Sequence, residues 1–222
     1  MLDDARTLAT VDADVVGRYL RRECAVFRKT REIWGGYSNM AAGFPLRINA
    51  ARIRTSEALY QACRFPHRPE VQRAILSQHS PMAAKMKGKP HRRDSRPDFD
   101  ATRIPIMWWC LRVKLACNMA TFPRLLLASG DMPIVEDSHR DAFWGAKAEK
   151  GSDGYLVGHN VLGRLLVLLR DCLRERGANE LRHVDPPRIP GFLLENEAIR
   201  PVDVSRRQAP ACGRPAEGRY RD

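Results

Sequence analysis

The sequence predicts an α+β fold: a helix-dominated single domain with a small antiparallel β-sheet over residues 23–176. An extension over 1–22 precedes it and a disordered Pro/Arg-rich tail over 177–222 follows. Three observations carry this. Ile104, Met107, Trp108, Leu111 and Leu115 keep helical spacing, as do Val161, Leu162, Leu165, Leu168, Leu169 and Cys172. Leu46-Arg47-Ile48 and Arg52-Ile53-Arg54 alternate with period two about Asn49-Ala50, which predicts a hairpin. Beyond Gly177 no hydrophobic period is sustained.

In chain order, residues 3–22 read as a short helix, with Leu8, Val11, Val15, Val16 and Leu20 among charges. Cys24-Ala25-Val26-Phe27 reads as a strand, and Trp34 to Met40 as a Gly-containing loop that turns tightly or approaches a ligand. After the hairpin, Thr55 and Ser56 supply helix caps and Pro66 a stop, so 55–66 holds about three turns of helix. Glu70–Ser77 is a second helix, and Ser80-Pro81 starts a third. Gly88–Asp100 is a polar loop; helix resumes at about Ile104 and runs to about 118, with Pro105 in its first turn. Phe122–Ser129 is a short helix ended by Gly130, Pro133–Glu136 a short strand, and Gly158-His159-Asn160 leads into the last strong helix.

Composition narrows the chemistry. The chain has 222 residues, 44% of them hydrophobic, and a net charge of +12, which favours anionic partners. No apolar run is long enough to span a membrane, and the acidic start Met1-Leu2-Asp3-Asp4 does not resemble a secretory signal. Six cysteines are scattered without a C-x-x-C pair, so reduced thiols in the cytoplasm are expected and a zinc site is not.

Four clusters can carry chemistry. Glu57, Tyr60, Gln61 and Arg64 share one side of the 55–66 helix. Such a stripe is either a solvated face or a buried set around one carboxylate; a Tyr, a Gln and an Arg about a single Glu favour the second. Lys29, with Asn39, is either a solvated strand-end lysine or a nucleophile toward an opened sugar aldehyde. Glu136, Asp137 and Asp141 stand beside Phe143, Trp144 and Gly145, which suits ribose hydroxyls and base stacking, or a capped turn over core aromatics. Gly158 to Arg164 offers Asn160 and Arg164 at a helix start, which suits a pyrophosphate or is a plain N-cap.

Gly36-Tyr37-Ser38-Asn39, Thr55 to Ala62, Arg96-Pro97-Asp98-Phe99, Val135-Glu136-Asp137, Asp141-x-Phe143-Trp144-Gly145 and Gly158-x-Asn160-x-Leu162-Gly163 together resemble the NADAR (YbiA-like) family over about residues 27–175. That family is linked to cleavage of N-glycosidic bonds in phosphoribosyl or ADP-ribosyl compounds. Phe27 to Glu32 and Met107 to Leu115 resemble the branch that removes ADP-ribose from guanine bases of DNA, as antitoxin to a DNA guanine ADP-ribosyltransferase. One position departs: the family usually has Trp where this chain has Phe99, which keeps an aromatic face and loses the indole donor.

The resemblance implies Glu57 as the carboxylate that stabilises oxocarbenium charge or activates water, assisted by Lys29. Arg64, Asn160 and Arg164 would neutralise pyrophosphate, Phe99 and Trp144 would stack on a base, and Asp141 would take ribose hydroxyls. Asn39, Tyr60, Gln61, Glu136 and Gly145 complete the expected ligand contacts. No cofactor and no metal are expected. The expected partners are guanine-ADP-ribosylated DNA or an ADP-ribose-like nucleotide and a cognate ADP-ribosyltransferase toxin, with no membrane. Two alternatives stand beside this: an N-glycosidase of phosphoribosyl riboflavin-pathway intermediates, and a non-catalytic protein that binds nucleic acid or neutralises a toxin through its basic surface.

Overall fold

A computed structural model describes residues 8–152 and 154–205. Within the extension Gly17–Leu20 is a strand in place of the expected helix: β1 (Gly17–Leu20) pairs antiparallel with β7 (Tyr155–Gly158), which also takes β6 (Lys147–Ala148). Val15 and Val16 are exposed, so the helical spacing read across them has no core to face. The part of that expected helix before Leu8 lies outside the described residues.

β2 (Ala25–Phe27) pairs with β5 (Ile134–Glu136) in parallel, Phe27 opposite Glu136. The two strands are buried at Ala25, Phe27, Ile134 and Val135, as expected of a parallel pair covered on both faces. The hairpin is present as β3 (Leu46–Ile48) and β4 (Ala51–Ile53), with Asn49 in the left-handed region its turn requires.

Between Ser56 and Arg176 the α-helices follow the expected order: α1 (Ser56–Ala62), α2 (Pro69–Leu76), α3 (Pro81–Gly88), α4 (Phe99–Cys117), α5 (Phe122–Ala128) and α6 (Val161–Arg176). Helix α4 is the axis of the core, buried almost all round from Ile106 to Ala116. It begins at Phe99, so Pro105 lies inside it and not in its first turn, and the expected loop over 88–100 holds a 3-10 turn at Lys89–Asp94. The start was hidden because Asp98 does not cap with its side chain; its carboxylate is held by Arg96 at 2.5 and 3.0 Å.

The tail expected from 177 divides. Residues 178–205 are folded: β8 (His183–Val184) pairs with β11 (Val202–Asp203), and β9 (Leu193–Leu194) with β10 (Glu197–Ala198). Leu181, Val184, Phe192, Leu194, Ile199 and Val202 are buried, and Phe192 meets Trp109 edge-on at 5.1 Å. Anchors on strands of two residues make no period, which is why Pro/Arg composition masked them. The rest of that expectation, 206–222, lies outside the described residues.

Candidate active site

Thr55 begins α1 as its N-cap, its hydroxyl accepting from Ala58 N at 3.3 Å. The second orphan donor of the first turn, Glu57 N, is taken by the Asn39 carbonyl at 3.0 Å. All seven residues of α1 are buried, so its polar stripe faces protein and not water. Glu57 is 7% exposed and Gln61 6%, and Gln61 Nε2 donates to Glu57 Oε1 at 3.0 Å.

Burial raises the Glu57 carboxyl above its ordinary value, while the charge of Lys85, the Gln61 hydrogen bond and the charge of Arg64 pull it back. Glu136, at the end of β5, is pushed up to about 7 by burial first, then by the charges of Asp141 and Glu57. It is only partly exposed at the surface. Lys85, on α3, is the lysine whose charge acts on both carboxylates.

An aromatic wall stands over them. Tyr60, its hydroxyl pushed up mainly by burial, lies 5.9 Å from Phe99 and 5.7 Å from Trp144, centroid to centroid. The Arg64 guanidinium covers the Phe99 ring at 4.1 Å and donates to Ser95 Oγ at 3.2 and 3.3 Å. Arg103 covers Phe143 at 3.7 Å, and Phe143 meets Trp144 edge-on. Asp141 builds this wall: its Oδ1 accepts from Phe143 N and Trp144 N at 3.0 and 2.9 Å.

The loop before α1 is held from inside the core. Lys114 is 1% exposed, donates to the carbonyls of Gly36 and Ser38 at 2.6 and 3.0 Å, and lies over Phe44 and Phe122. Burial lowers its ammonium to about 7. Asn39 follows in this loop; its Nδ2 donates to Met107 Sδ and its Oδ1 is buried without a protein partner.

The site thus gathers Glu57, Tyr60, Gln61, Arg64, Phe99, Glu136, Asp141, Trp144 and Asn39 from the residues the sequence nominated. Three nominated residues stand apart from this group. Lys29 is exposed, its backbone N–H bound to Glu32. Asn160 is 1% exposed and both ends of its amide hold backbone, Oδ1 the Glu136 N–H and Nδ2 the Ile134 carbonyl. It is a clamp between β5 and α6, and that work keeps it from a pyrophosphate. Arg164 donates to the Asp12 carbonyl in the N-terminal segment.

Gly145 is a spacer: a Cβ there would stand 2.6 Å from the Glu136 carbonyl. Gly163 is tighter still, 2.0 Å from the Ile134 carbonyl. Lys85 and Arg103 escaped the sequence reading. Ser80-Pro81 fixes the phase of α3 and sets Lys85 beside its small face, Ala84 and Gly88, which was the available signal. Arg103 became visible only once α4 was known to begin at Phe99.

A separate cleft of about 730 Å³ lies at the far end of α4, lined by Arg47, Arg52 and Arg182 and by no carboxylate. At about 1.5 Å of rise per residue, Cys117 at this end is roughly 27 Å along the helix from Phe99.

Comparison with known proteins places the chain among relatives. A family model described as the NADAR domain matches residues 26–174. The N-glycosidase YbiA of Escherichia coli (strain K12) is 32% identical over 150 residues, 66% of this chain and 86% of that protein. A riboflavin biosynthesis protein of Vibrio vulnificus (strain YJ016) is 32% identical over 137 residues, 61% of this chain and 35% of that protein. Among solved structures, the NMR structure of E. coli YbiA is similar with a TM-score of 0.58 at 29% identity, over 71% of this chain and 88% of that one.

Proposed function

The chain belongs to the NADAR domain family, and from that premise we propose that it hydrolyses the N-glycosidic bond between a ribose C1 and a nitrogenous base, its substrate being ADP-ribose attached to guanine in DNA. The observation that supports this best is the unequal carboxylate pair. Burial raises the Glu57 carboxyl against the pull of Lys85, Gln61 and Arg64, whereas Glu136 has Lys85 alone to offset burial and two like charges. Environments that hold two carboxyls apart set their acid and base roles. We assign Glu57, which has more partners for its charged form, as the carboxylate facing C1, and Glu136, near 7, as the proton donor.

In this reading the C1–N bond breaks with its electron pair leaving on the base nitrogen, which takes the Glu136 proton. Water adds to C1 and gives its proton to Glu57. Gln61 holds Glu57 in place, and the unpartnered Asn39 Oδ1 is an acceptor for a ribose hydroxyl. Tyr60, Phe99 and Trp144 supply stacking faces, while Arg64 and Arg103 supply charge for pyrophosphate. The net charge of +12 supports DNA over a small metabolite. Reversal of a guanine-modifying toxin would then be the biological setting.

The match to the Vibrio vulnificus protein favours a second reading, a phosphoribosyl intermediate of riboflavin synthesis as substrate. One experiment separates them. The purified chain is incubated with a guanine-ADP-ribosylated oligonucleotide, and in parallel with phosphoribosylated pyrimidine intermediates, with mass spectrometry of the released sugar. ADP-ribose release that falls by about 10³-fold in Glu57→Gln, the scale of losing a group that acts in the transition state, is expected. Release from the pyrimidine intermediates alone would replace the DNA reading. Activity of Glu57→Gln within tenfold of wild type would remove Glu57 from catalysis.

A further inference from the structure

We infer that the ridge from Met82 to Arg93, beside the candidate site, docks the backbone of a nucleic-acid duplex, with Met82 and Met86 as the wedge that fills the gap left by an extruded base. The inference rests on the proposed DNA substrate and names how that substrate is presented.

Helix α3 packs on α1 through its smallest residues. Ala84 and Gly88 are buried, and a Cβ on Gly88 would stand 3.5 Å from Phe65 and 3.7 Å from Gln61 Oε1. The opposite face therefore looks outward next to the site. Lys85, on its flank, acts on Glu57 and Glu136, and Arg92 in the following 3-10 turn acts on Arg64, so both ends of the ridge border the site.

The ridge is strongly one-signed. Lys85, Lys87, Lys89, Arg92 and Arg93 face one carboxylate between Pro81 and Ser95, Asp94, and that one is held by Arg68 at 3.0 Å. None of the five has an ion-pair partner among the described residues. A run of unpaired cations of this kind suits a nucleic-acid backbone.

In the middle of these charges stand two large apolar side chains, Met82 at 55% and Met86 at 50% exposure, one turn apart. They are two of six large apolar side chains exposed among the described residues, and the two that share one helix face. The scissile C1 belongs to an ADP-ribose carried on the edge of the guanine, and it reaches Glu57, which is 7% exposed, more readily when that base leaves the stack. Proteins that unstack duplexes insert apolar side chains at the step they open, and Met adapts to such gaps.

Two measurements on the full chain test this. Binding of a short unmodified fluorescent duplex is followed from about 50 to 200 mM salt. In Lys87→Glu/Lys89→Glu/Arg93→Glu the affinity should fall at least tenfold, and the log–log salt slope by roughly 0.9 for each phosphate no longer neutralised. Release of ADP-ribose is then compared for one lesion in duplex, in single strand and on a mononucleoside. Met82→Ser/Met86→Ser should lower the duplex rate about tenfold and leave the other two within about twofold, since only the duplex needs a base extruded.

Duplex affinity unchanged by the charge reversals, or no duplex binding by the wild type, would overturn the docking surface. Equal loss on all three substrates would overturn the wedge. Duplex binding through the ridge with no release from any guanine substrate would keep the docking surface and remove the substrate reading instead.

Discussion

Glu136 carries the site's pH dependence. Its carboxyl is raised from 4.5 to about 7, so between those values the folded chain holds a proton the unfolded chain has released. Its contribution to stability is complete below 4.5 and lost as pH rises through 7. Glu136→Gln should remove that loss, so the denaturant midpoint of the variant falls less than wild type between about pH 5 and 7. The same change should abolish the alkaline limb of the pH–rate profile near 7, if the limb reports this acid. A limb that persists in Glu136→Gln would assign it to another group. Glu57 was legible in sequence because four polar residues at helical spacing name a face. Asn160 and Arg164 misled for the opposite reason: the same residues that suit an anion also suit a clamp and a strap, and only the partners of each amide and guanidinium decide.

Among the elements, helices with a clear apolar stripe were legible, and α1, α2, α3, α5 and α6 fall near their expected bounds. Two-to-four-residue strands were mostly not. Nothing local in Ala25–Phe27 says that its partner is Ile134–Glu136 in parallel, because that register is decided by burial on both faces. The contact of α6 with β5 gives a direct test. Gly163 brings the helix against the Ile134 carbonyl, where a Cβ would be 2.0 Å away. Gly163→Ala should destabilise the fold by about 2 kcal/mol or more, since backbone cannot yield as a side-chain tip does. It should also blunt activity, because β5 carries Glu136. A melting temperature equal to wild type would mean that α6 has freedom to retreat.

For the whole molecule, the family model ends at 174 while folded chain continues to 205. The 178–205 segment covers Trp109, and Gln72 holds it by donating to the Leu193 carbonyl and accepting from Glu195 N. Ending the chain at Gly177 should therefore lower the melting temperature by several degrees and raise binding of a hydrophobic dye, with an unchanged melt showing that the segment adds nothing. The charge balance was legible at this scale, and so was the class of fold. The clasp was not, because its anchors are spread singly through polar chain. The pairing of β1 with β7 and of β2 with β5 also has a consequence in time. During synthesis at about 5–20 residues per second, roughly five to twenty seconds separate the emergence of Glu57 from that of Gly158. Until the late strands arrive, α1 is made but its carboxylate has no wall around it, so the nascent chain passes through an interval in which it is basic, sticky and inert.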